Sequence, residues 1–304
     1  MAGYNRPVIE DAIVAAIARR LTSALAAPAG SYLRLVAGGS TVGWLDPARA
    51  ARLAGFCDVF TVEDGTVVLS AALRDEPART AALDRVARAL AAEDRLSAWR
   101  NERYAVAAAP DAGPVFLLER AAARYFGVVT HAAHVNGLVR DGATTRMWFA
   151  RRSPAKAIDP GMLDNLVGGG VAAGHSIAET VVKEAWEEAG VPAALAANAC
   201  SAGTVRICRA QPDGLQREVI AVHDLWLPAD FVPRGQDGEV VAHRLVELPE
   251  AARLIALADG PDVVTADAGL VVLDCLMRHG AIAANTPARR TLDALRRPAL
   301  EIAT

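Results

Sequence analysis

The sequence predicts an α+β fold with two domains, and three observations support this class. Strand-like apolar runs occur in both halves of the chain, one amphipathic helix interrupts the strands of the second half, and helical patterns begin and end the chain. Strands and helices are both present, but they do not alternate as in βαβ units. With 304 residues, the chain is long enough for about two domains of roughly 150 residues each.

The first domain is predicted over residues 1–122 as the smaller α+β unit. It begins with a helix over Val8–Ala27, where charged residues interrupt an apolar run that could otherwise suggest a signal or anchor segment. Glycine, proline and aspartate turns then separate the remaining elements. The predicted strands are Tyr32–Val36, Val42–Leu45, Val67–Leu69 and Val115–Leu118, and the predicted helices are Ala78–Ala92 and Glu119–Phe126.

The second domain, residues 123–262, is predicted to contain a mixed sheet flanked by helices. Its predicted strands are Val128–Val139, Arg146–Arg152, Thr204–Arg209, Glu218–Leu227 and Glu239–Val246. One strong helix, Ser176–Ala189, lies among them and stops at Gly190. A C-terminal helical extension over residues 263–304 follows. It has one helix at Ala268–Met277 and another that starts after Thr286, where proline takes the first helical position.

Composition and charge argue against several classes of partner. The formal net charge is −3 and no dense basic block occurs, so we predict no nucleic-acid binding. The four cysteines are scattered without a C-x-x-C pair, which favours reduced thiols over a zinc ribbon or a disulfide framework. No export signal or membrane-spanning segment is recognisable, so we expect a cytoplasmic protein without membrane contact. The oligomeric state, a homodimer included, is left open.

Three carboxylates share one face of the predicted helix in the second domain. Glu184, Glu187 and Glu188 stand at i, i+3 and i+4, and so fall within an arc of about 100°. Ionised carboxylates at this spacing repel each other unless a cation lies between them. Oxygen ligands of this kind suit Mg²⁺ or Mn²⁺. The spacing therefore predicts that the three glutamates bind a divalent metal ion.

A glycine run precedes this helix. Gly168, Gly169 and Gly170 are predicted to form a loop whose backbone can approach a ligand closely. The loop is expected to lead into the helix N-terminus, where free N–H groups favour anions. Acidic helical faces and glycine turns are each common in proteins without a site. Their joint spacing is more specific, and together they predict a cradle for a metal ion and a small-molecule diphosphate.

The stretch from Gly168 to Val191 resembles the Nudix box, G-x5-E-x7-R-E-U-x-E-E-x-G-U, where U is an aliphatic residue. The last glutamates of the box fall on Glu184, Glu187 and Glu188. The resemblance implies a Nudix α/β/α sandwich with a mixed sheet, a metal-dependent pyrophosphatase activity, and metal binding by these three glutamates.

Two positions depart from the box. His175 stands where the box has its first glutamate, and a neutral imidazole does not replace a carboxylate as a ligand of a hard metal ion. Lys183 stands where the box has arginine. It can still orient a catalytic glutamate by pairing with Glu187 or Glu179, four residues away, but without the bidentate geometry of arginine. Arginine is the usual cation of this chain, since Lys156 and Lys183 are its only lysines.

The resemblance extends beyond the box to one branch of the family. It is carried by Val42–Asp46, Trp99–Val106, His134–Gly142, Met147–Asn165, Asp224–Val240 and Leu276–Gly280. These segments are similar to Nudix proteins related to the N-terminal part of fungal thiamine pyrophosphokinase, plant chloroplast and yeast members included. The resemblance implies hydrolysis of thiamine diphosphate, or of its oxidised or damaged analogues, to the monophosphate and phosphate. The chemistry of the residues alone predicts only that the site binds a diphosphate and a metal ion. Hydrolysis of ADP-ribose or other nucleoside diphosphate derivatives, and binding without catalysis, stay open.

Five further residues are candidate ligands of the substrate or the metal. Arg151, Arg152 and Lys156 form a short basic cluster before the glycine run and are predicted to contact phosphate oxygens, with a solvated strand end as the alternative. Glu239 follows an Asp-Gly turn that matches a motif of the branch. It is a candidate metal ligand or general base, with a plain turn acid as the alternative. Glu218 is a weaker candidate.

Overall fold

The computed structural model of the protein describes residues 9–109, 112–284 and 286–302. Val8, the predicted start of the first helix, lies outside these ranges, and the helix itself, α1, spans Asp11–Ala24. In the described ranges, no helix combines the length and the apolar character that a bilayer crossing requires. Helices and strands are both abundant, and the predicted α+β class is confirmed.

Two small sheets build the first domain. One has the strand order β2-β1-β4-β3, with β1 and β4 parallel, and the other is the β5–β6 hairpin. The elements are β1 (Leu33–Ala37), β2 (Ser40–Leu45), α2 (Pro47–Leu53), β3 (Phe60–Glu63), β4 (Thr66–Leu69), α3 (Glu76–Ala92), β5 (Arg103–Ala107) and β6 (Pro114–Glu119). Leu83 and Val86 of α3 share a buried core with Phe116 of β6, so the helix joins the two sheets.

A seven-stranded mixed sheet builds the second domain. Its main order is β11-β12-β7-β8-β13, in which β7 and β12 run parallel, while short β9 pairs with β8 and β10 pairs with β7. The strands are β7 (Val129–Asp141), β8 (Thr144–Arg152), β9 (Leu163–Asn165), β10 (Val167–Gly170), β11 (Cys200–Gln211), β12 (Gly214–Leu227) and β13 (Val240–Glu247). The helices are α4 (Ile177–Ala189), α5 (Ala193–Ala196), α6 (Leu248–Ala256), α7 (Ala266–Arg278) and α8 (Pro287–Leu295).

Helices cover both faces of this sheet and give the expected α/β/α sandwich. On one face, α4 buries Val181, Ala185 and Ala189 in a core with the sheet. On the other face lie α6, α7 and α8. Helix α1 packs with these three helices through Ile17 and Leu21, although the strands of the first domain follow it in the chain.

Two predicted elements differ from the structure. The helix predicted over Glu119–Phe126 is wrong: a single 3-10 turn, Arg120–Ala122, lies there, followed by a turn that ends at Gly127. Strand β6 continues as far as Glu119, so the first residue of the predicted helix belongs to the β5–β6 hairpin. The loop predicted at Gly168–Gly170 is part of strand β10, which pairs antiparallel with β7. A pattern within the glycine run cannot reveal a partner so distant in the chain.

An ion-pair network attaches helix α7 to the central sheet. Arg278 at the end of α7 donates to both oxygens of Asp224 on β12, at 2.6 and 2.9 Å, and Asn136 donates to the same carboxylate at 3.0 Å. Arg278 also pairs with Asp274 at 2.6 Å. Burial alone would raise the pKa of Asp224, but hydrogen bonds from His279 and Arg278 hold it well below its usual range.

Asp224→Asn is expected to lower the free energy of unfolding by about 2–4 kcal/mol near neutral pH, because Arg278 would lose one carboxylate partner in a partly buried place. Since folding lowers the pKa of Asp224, this stabilisation is complete above the unfolded pKa of about 3.9 and is lost as the pH falls below it. Urea unfolding at several pH values measures both effects. Asp141→Asn is the matched control, since Asp141 is largely exposed and lies 3.5 Å from Arg146. Equal losses in the two variants would contradict the prediction.

Candidate active site

The acidic helix α4 begins and ends as its sequence predicts. Ser176 Oγ accepts a hydrogen bond from the Glu179 backbone N–H, and the Glu179 side chain accepts one from the Ser176 backbone N–H. Gly190 ends the helix in the left-handed conformation, with φ +63°, which glycine adopts without a Cβ clash. Both ends of the helix are therefore fixed, and so is the direction of its glutamate face.

Glu188 is the most deeply buried of the three glutamates, with 5% exposed. Its carboxylate accepts a 2.8 Å hydrogen bond from the Gly168 backbone N–H. Burial, together with the nearby charge of Asp164, raises the pKa of Glu188 to about 8. Burial also raises the pKa of Glu184, although the hydrogen bond from Lys183 opposes the shift. Both carboxyl groups are thus costly to ionise unless a cation comes close.

Lys183 bridges the other carboxylates of the face. Its Nζ donates to Glu187 Oε2 at 2.6 Å and to Glu184 Oε1 at 3.0 Å. The pairing with Glu187 is one of the two that the sequence allowed, whereas Glu179 is engaged in the helix cap. Burial alone would lower the pKa of Lys183, but these two hydrogen bonds raise it. The ammonium group therefore offsets negative charge at the place where a metal ion would do so.

The residues present fit a hard divalent cation by their chemistry. Glu184, Glu187 and Glu188 supply only oxygen donors, the ligands that Mg²⁺ and Mn²⁺ prefer. In the described part of the chain, the group of three potential ligand atoms within 4.8 Å of one another belongs to the network around α7 rather than to these glutamates. Lys183 holds two of the carboxylates and Gly168 holds the third. A cation would therefore have to draw them together.

The glycines of β10 are needed because two side chains approach the strand closely. A Cβ added at Gly169 would overlap the side chain of Glu184, with the carboxyl carbon at 2.5 Å. A Cβ added at Gly170 would overlap the hydroxyl group of Tyr104, with the ring carbon Cζ at 3.0 Å. Real Cβ atoms do not come so near to other heavy atoms. Any larger residue at these positions would push Glu184 or Tyr104 away.

The N-terminus of helix α4 does not lie at the end of the glycine run, where it was predicted. Residues 171–176 separate Gly170 from α4, so the glycine run does not lead directly into the helix. The reciprocal cap of Ser176 and Glu179 already satisfies N–H groups there. His175 and Ser176 are exposed and lie outside the cavity described next. His175, which replaces the first glutamate of the box, therefore does not line that cavity.

A cavity of about 340 Å³ lies at the glutamate face, and residues of both domains line it. Among the residues singled out in the sequence, the structure places these in the lining: Arg152, Lys156, Gly168, Gly169, Gly170, Lys183, Glu184, Glu187, Glu188, Glu218 and Glu239. Both lysines of an arginine-rich chain are in this group. The only two lysines of the chain, Lys156 and Lys183, thus line the same cavity.

The basic cluster predicted at Arg151, Arg152 and Lys156 is divided by the sheet. Neighbouring residues of a strand point to opposite faces. Arg151 accordingly pairs with Asp262 and does not line the cavity, whereas Arg152 and Lys156 do. Arg152 donates Nη1 to Asp164 at 2.7 Å and its other two nitrogens to backbone carbonyls. Each nitrogen of this guanidinium is therefore engaged within the protein.

Glu239 lies between two cations. It pairs with the Lys156 ammonium group and with the Arg100 guanidinium, the latter at 2.8 Å. Burial alone would raise the pKa of Glu239, but Lys156 and Arg100 lower it to about 2. A carboxylate with so low a pKa is a weak base near neutral pH. The role of Glu239 as a metal ligand or general base stays a prediction, while its contact with Arg100 joins the two domains.

The first domain supplies cavity residues that the motif analysis did not single out. Arg100, Glu102, Tyr104 and Arg120 line the same cavity as the glutamates. The first three lie in Trp99–Val106, one of the segments that carry the resemblance to the branch. The resemblance of that segment to the branch was the sequence feature that could have identified these residues. No spacing rule relates residues of one domain to a motif in another.

Family models and relatives assign both halves of the chain. A model described as the NUDIX domain matches residues 130–267, and one described as a domain of unknown function, DUF4743, matches residues 13–130. Nudix hydrolase 24, chloroplastic, of Arabidopsis thaliana is 36% identical over 260 residues, which cover 85% of this chain and 70% of that protein. Nudix hydrolase 20, chloroplastic, of the same plant is 36% identical over 262 residues, which cover 83% and 69%.

One solved structure illustrates how far the similarity extends in three dimensions. The NUDIX domain of NrtR from Shewanella oneidensis, solved with ADP ribose, is 13% identical and has a TM-score of 0.40. The match covers 51% of this chain and 90% of that domain.

The α/β/α sandwich, the box helix and the plant relatives define the class of protein: the chain belongs to the Nudix hydrolases. Members of this family generally use divalent metal ions and act on small-molecule diphosphates. Within the family, this enzyme has two domains, with the DUF4743 domain ahead of the NUDIX domain.

Gly169→Ala is expected to lower metal-dependent hydrolysis of a diphosphate by about 100-fold, because the added Cβ displaces the Glu184 carboxylate by roughly an ångström. Phosphate release is measured with Mg²⁺, and circular dichroism verifies that the variant is folded. Gly113→Ala is the matched control, since nothing lies within 4 Å of its added Cβ. Full activity of Gly169→Ala in a folded protein would disprove the close-packing requirement.

Proposed function

We propose that the protein is a Mg²⁺- or Mn²⁺-dependent pyrophosphatase that hydrolyses thiamine diphosphate, or its oxidised or damaged analogues, to the monophosphate and phosphate. The observation that carries the proposal is the glutamate face of α4, which lines one cavity together with the glycine strand and several cations. The volume of about 340 Å³ suits a small ring system attached to two phosphoryl groups.

In this proposal, Glu184, Glu187 and Glu188 hold the metal ions. Such ions offset the charge of a diphosphate and lower the pKa of water. Water attacks one phosphorus, the P–O bond of the anhydride breaks, and phosphate and the monophosphate separate. The proton of the water passes to Glu188 or Glu239. Lys156 and Arg100 keep Glu239 ionised and weakly basic, which counts against Glu239 for that step.

A second group of acids in the same cavity supports a cationic substrate. Glu218 accepts hydrogen bonds from Gln216 at 2.9 Å and from Thr130 at 3.3 Å, and both donors are neutral. No lysine or arginine of the described residues pairs with Glu218, whereas Asp267 pairs with Arg209 at 3.1 Å. Burial and then the charge of Asp267 raise the pKa of Glu218. Thiamine carries a positive ring and an amino group that could satisfy such a carboxylate, whereas the adenine and ribose of ADP-ribose carry no positive charge.

Two alternatives use the same residues differently. Hydrolysis of ADP-ribose or another nucleoside diphosphate derivative would employ the same three glutamates with other ring contacts. Binding of a diphosphate ligand without catalysis is favoured by one observation, the position of Lys183 on two of the carboxylates. The two experiments that follow separate these alternatives from the proposal.

Glu187→Gln and Glu188→Gln are each expected to reduce Mg²⁺-dependent phosphate release by at least about 100-fold, because each removes a charged ligand but keeps the side-chain shape. A colorimetric phosphate assay measures the rate. Glu179→Gln is the control on the same helix, since glutamine also completes the reciprocal cap, and it should retain activity. Wild-type rates in both test variants would defeat the assignment of the metal ligands.

A substrate panel tests the ring chemistry. With Mg²⁺ or Mn²⁺, kcat/KM is expected to be at least about 10-fold higher for thiamine diphosphate, and for those analogues that keep its positive ring, than for ADP-ribose, since one charge-assisted contact with Glu218 is worth roughly 1.5 kcal/mol. Glu218→Gln should reduce that preference, while Glu63→Gln in the first domain should not. A higher kcat/KM for ADP-ribose would favour the first alternative. Binding of every compound without turnover would favour the second.

A further inference from the structure

The first domain forms one wall of the cavity that contains the glutamates. It is lined by Arg100 and Glu102, which precede β5, by Tyr104 in β5 and by Arg120 just after β6, together with Glu184. All four residues of the wall lie in the region matched by the domain of unknown function. The cavity is therefore incomplete without the first domain, although the box helix lies wholly in the second.

The β5–β6 hairpin is fixed against the glycine strand. Tyr104 is buried, and its hydroxyl group occupies the space that a side chain at Gly170 would need. The backbone N–H of Ala173 donates to the carbonyl group of Arg103 at 2.7 Å. A backbone hydrogen bond and a buried aromatic ring together leave the hairpin little freedom. The side chains that it presents to the cavity consequently have defined positions.

Arg120 is a cation that this hairpin presents to the cavity. Its backbone N–H donates to the Glu102 carbonyl group at 2.8 Å. Its Nη1 donates to the Glu102 carboxylate, also at 2.8 Å. Its guanidinium carbon lies 5.8 Å from the centroid of the Tyr104 ring. Within the ranges that the structure describes, the other two guanidinium nitrogens have no hydrogen-bond acceptor, and the side chain is 39% exposed. Arg120 is thus oriented by two neighbours and still has donors available.

Three cavity cations of the second domain, Arg152, Lys156 and Lys183, are more fully engaged than Arg120. All three nitrogens of Arg152 donate to protein acceptors, Lys156 pairs with a glutamate, and Lys183 pairs with two. Arg120 and the three glutamates of α4 line the same cavity. A phosphate group bound in this cavity would therefore find free guanidinium donors on Arg120.

We propose that Arg120 binds phosphoryl oxygens of the substrate's diphosphate, so that the first domain is part of the substrate site; this inference rests on the proposed diphosphate hydrolysis. Two free nitrogens of one planar guanidinium match two oxygens of a phosphate group. The glutamates that line the cavity repel a diphosphate, and a cation in the same cavity reduces that repulsion. Because Tyr104 and Glu102 already orient the guanidinium, little side-chain freedom is lost on binding.

Arg120→Met tests the inference, with Arg85→Met as the control, because Arg85 lies in the same domain and pairs with Asp58 on the surface at 2.8 Å. Kinetics use Mg²⁺ and the panel compound that the wild type hydrolyses fastest. Arg120→Met should raise KM roughly 10- to 100-fold and lower kcat by a smaller factor, with an unchanged melting temperature. A purely structural arginine would instead lower the melting temperature and kcat at constant KM. Arg85→Met should match the wild type.

Arg120→Gln, which can still donate to Glu102, replaces the methionine variant if that protein does not fold, and the same rise in KM is expected. An unchanged KM in a folded variant overturns the inference. If the wild type hydrolyses no panel compound, the proposed function fails, and calorimetry with inorganic diphosphate and Mg²⁺ decides the role of Arg120 separately. A Kd at least about 10-fold weaker in the variant supports that role. Equal Kd values, or no binding by the wild type, overturn it.

Discussion

The contact between helix α4 and the glycine strand β10 is the constraint on which the site depends. Gly169 leaves the space that Glu184 fills, and the Gly168 backbone N–H holds Glu188 at 2.8 Å. Two of the three carboxylates are consequently held against backbone instead of facing bulk water. The position of β10 is set in turn by its antiparallel pairing with β7, a central strand of the sheet. The register of the sheet therefore determines where the acids stand.

Charge in the cavity is balanced by ion pairs, and those of Glu239 join distant parts of the chain. A buried carboxylate without a partner is costly, and a nearby cation reduces that cost. The pairs are Lys183 with Glu184 and Glu187, Arg152 with Asp164, Lys156 and Arg100 with Glu239, and Arg120 with Glu102. A charged ligand entering such a site exchanges with existing partners. Affinity for metal and for phosphate thus depends on how easily each protein pair opens.

How much of this arrangement could be predicted from the sequence depended on the range of the interaction involved. The box helix was predicted well, because its cap, its glutamate spacing and its terminal glycine all act within a few residues. The glycine run was mistaken for a loop because its conformation depends on pairing with β7. Arg151 and Arg152 could not be told apart, since only the face of the sheet on which the cavity lies separates their roles. Tyr104 and Arg120 required the packing of one domain on the other.

Helix α1 packs across the boundary between the two family models. The two family models divide the chain at residue 130, but Ile17 and Leu21 of α1 fill the apolar surface of α6 and α7 on the far side of that division. A shortened chain that begins at residue 130 would keep all the box glutamates. It would, however, expose to solvent the apolar surface of α6 and α7 that α1 covers. Helix α1, at the start of the described chain, therefore belongs to the apolar core that the C-terminal helices form with the sheet.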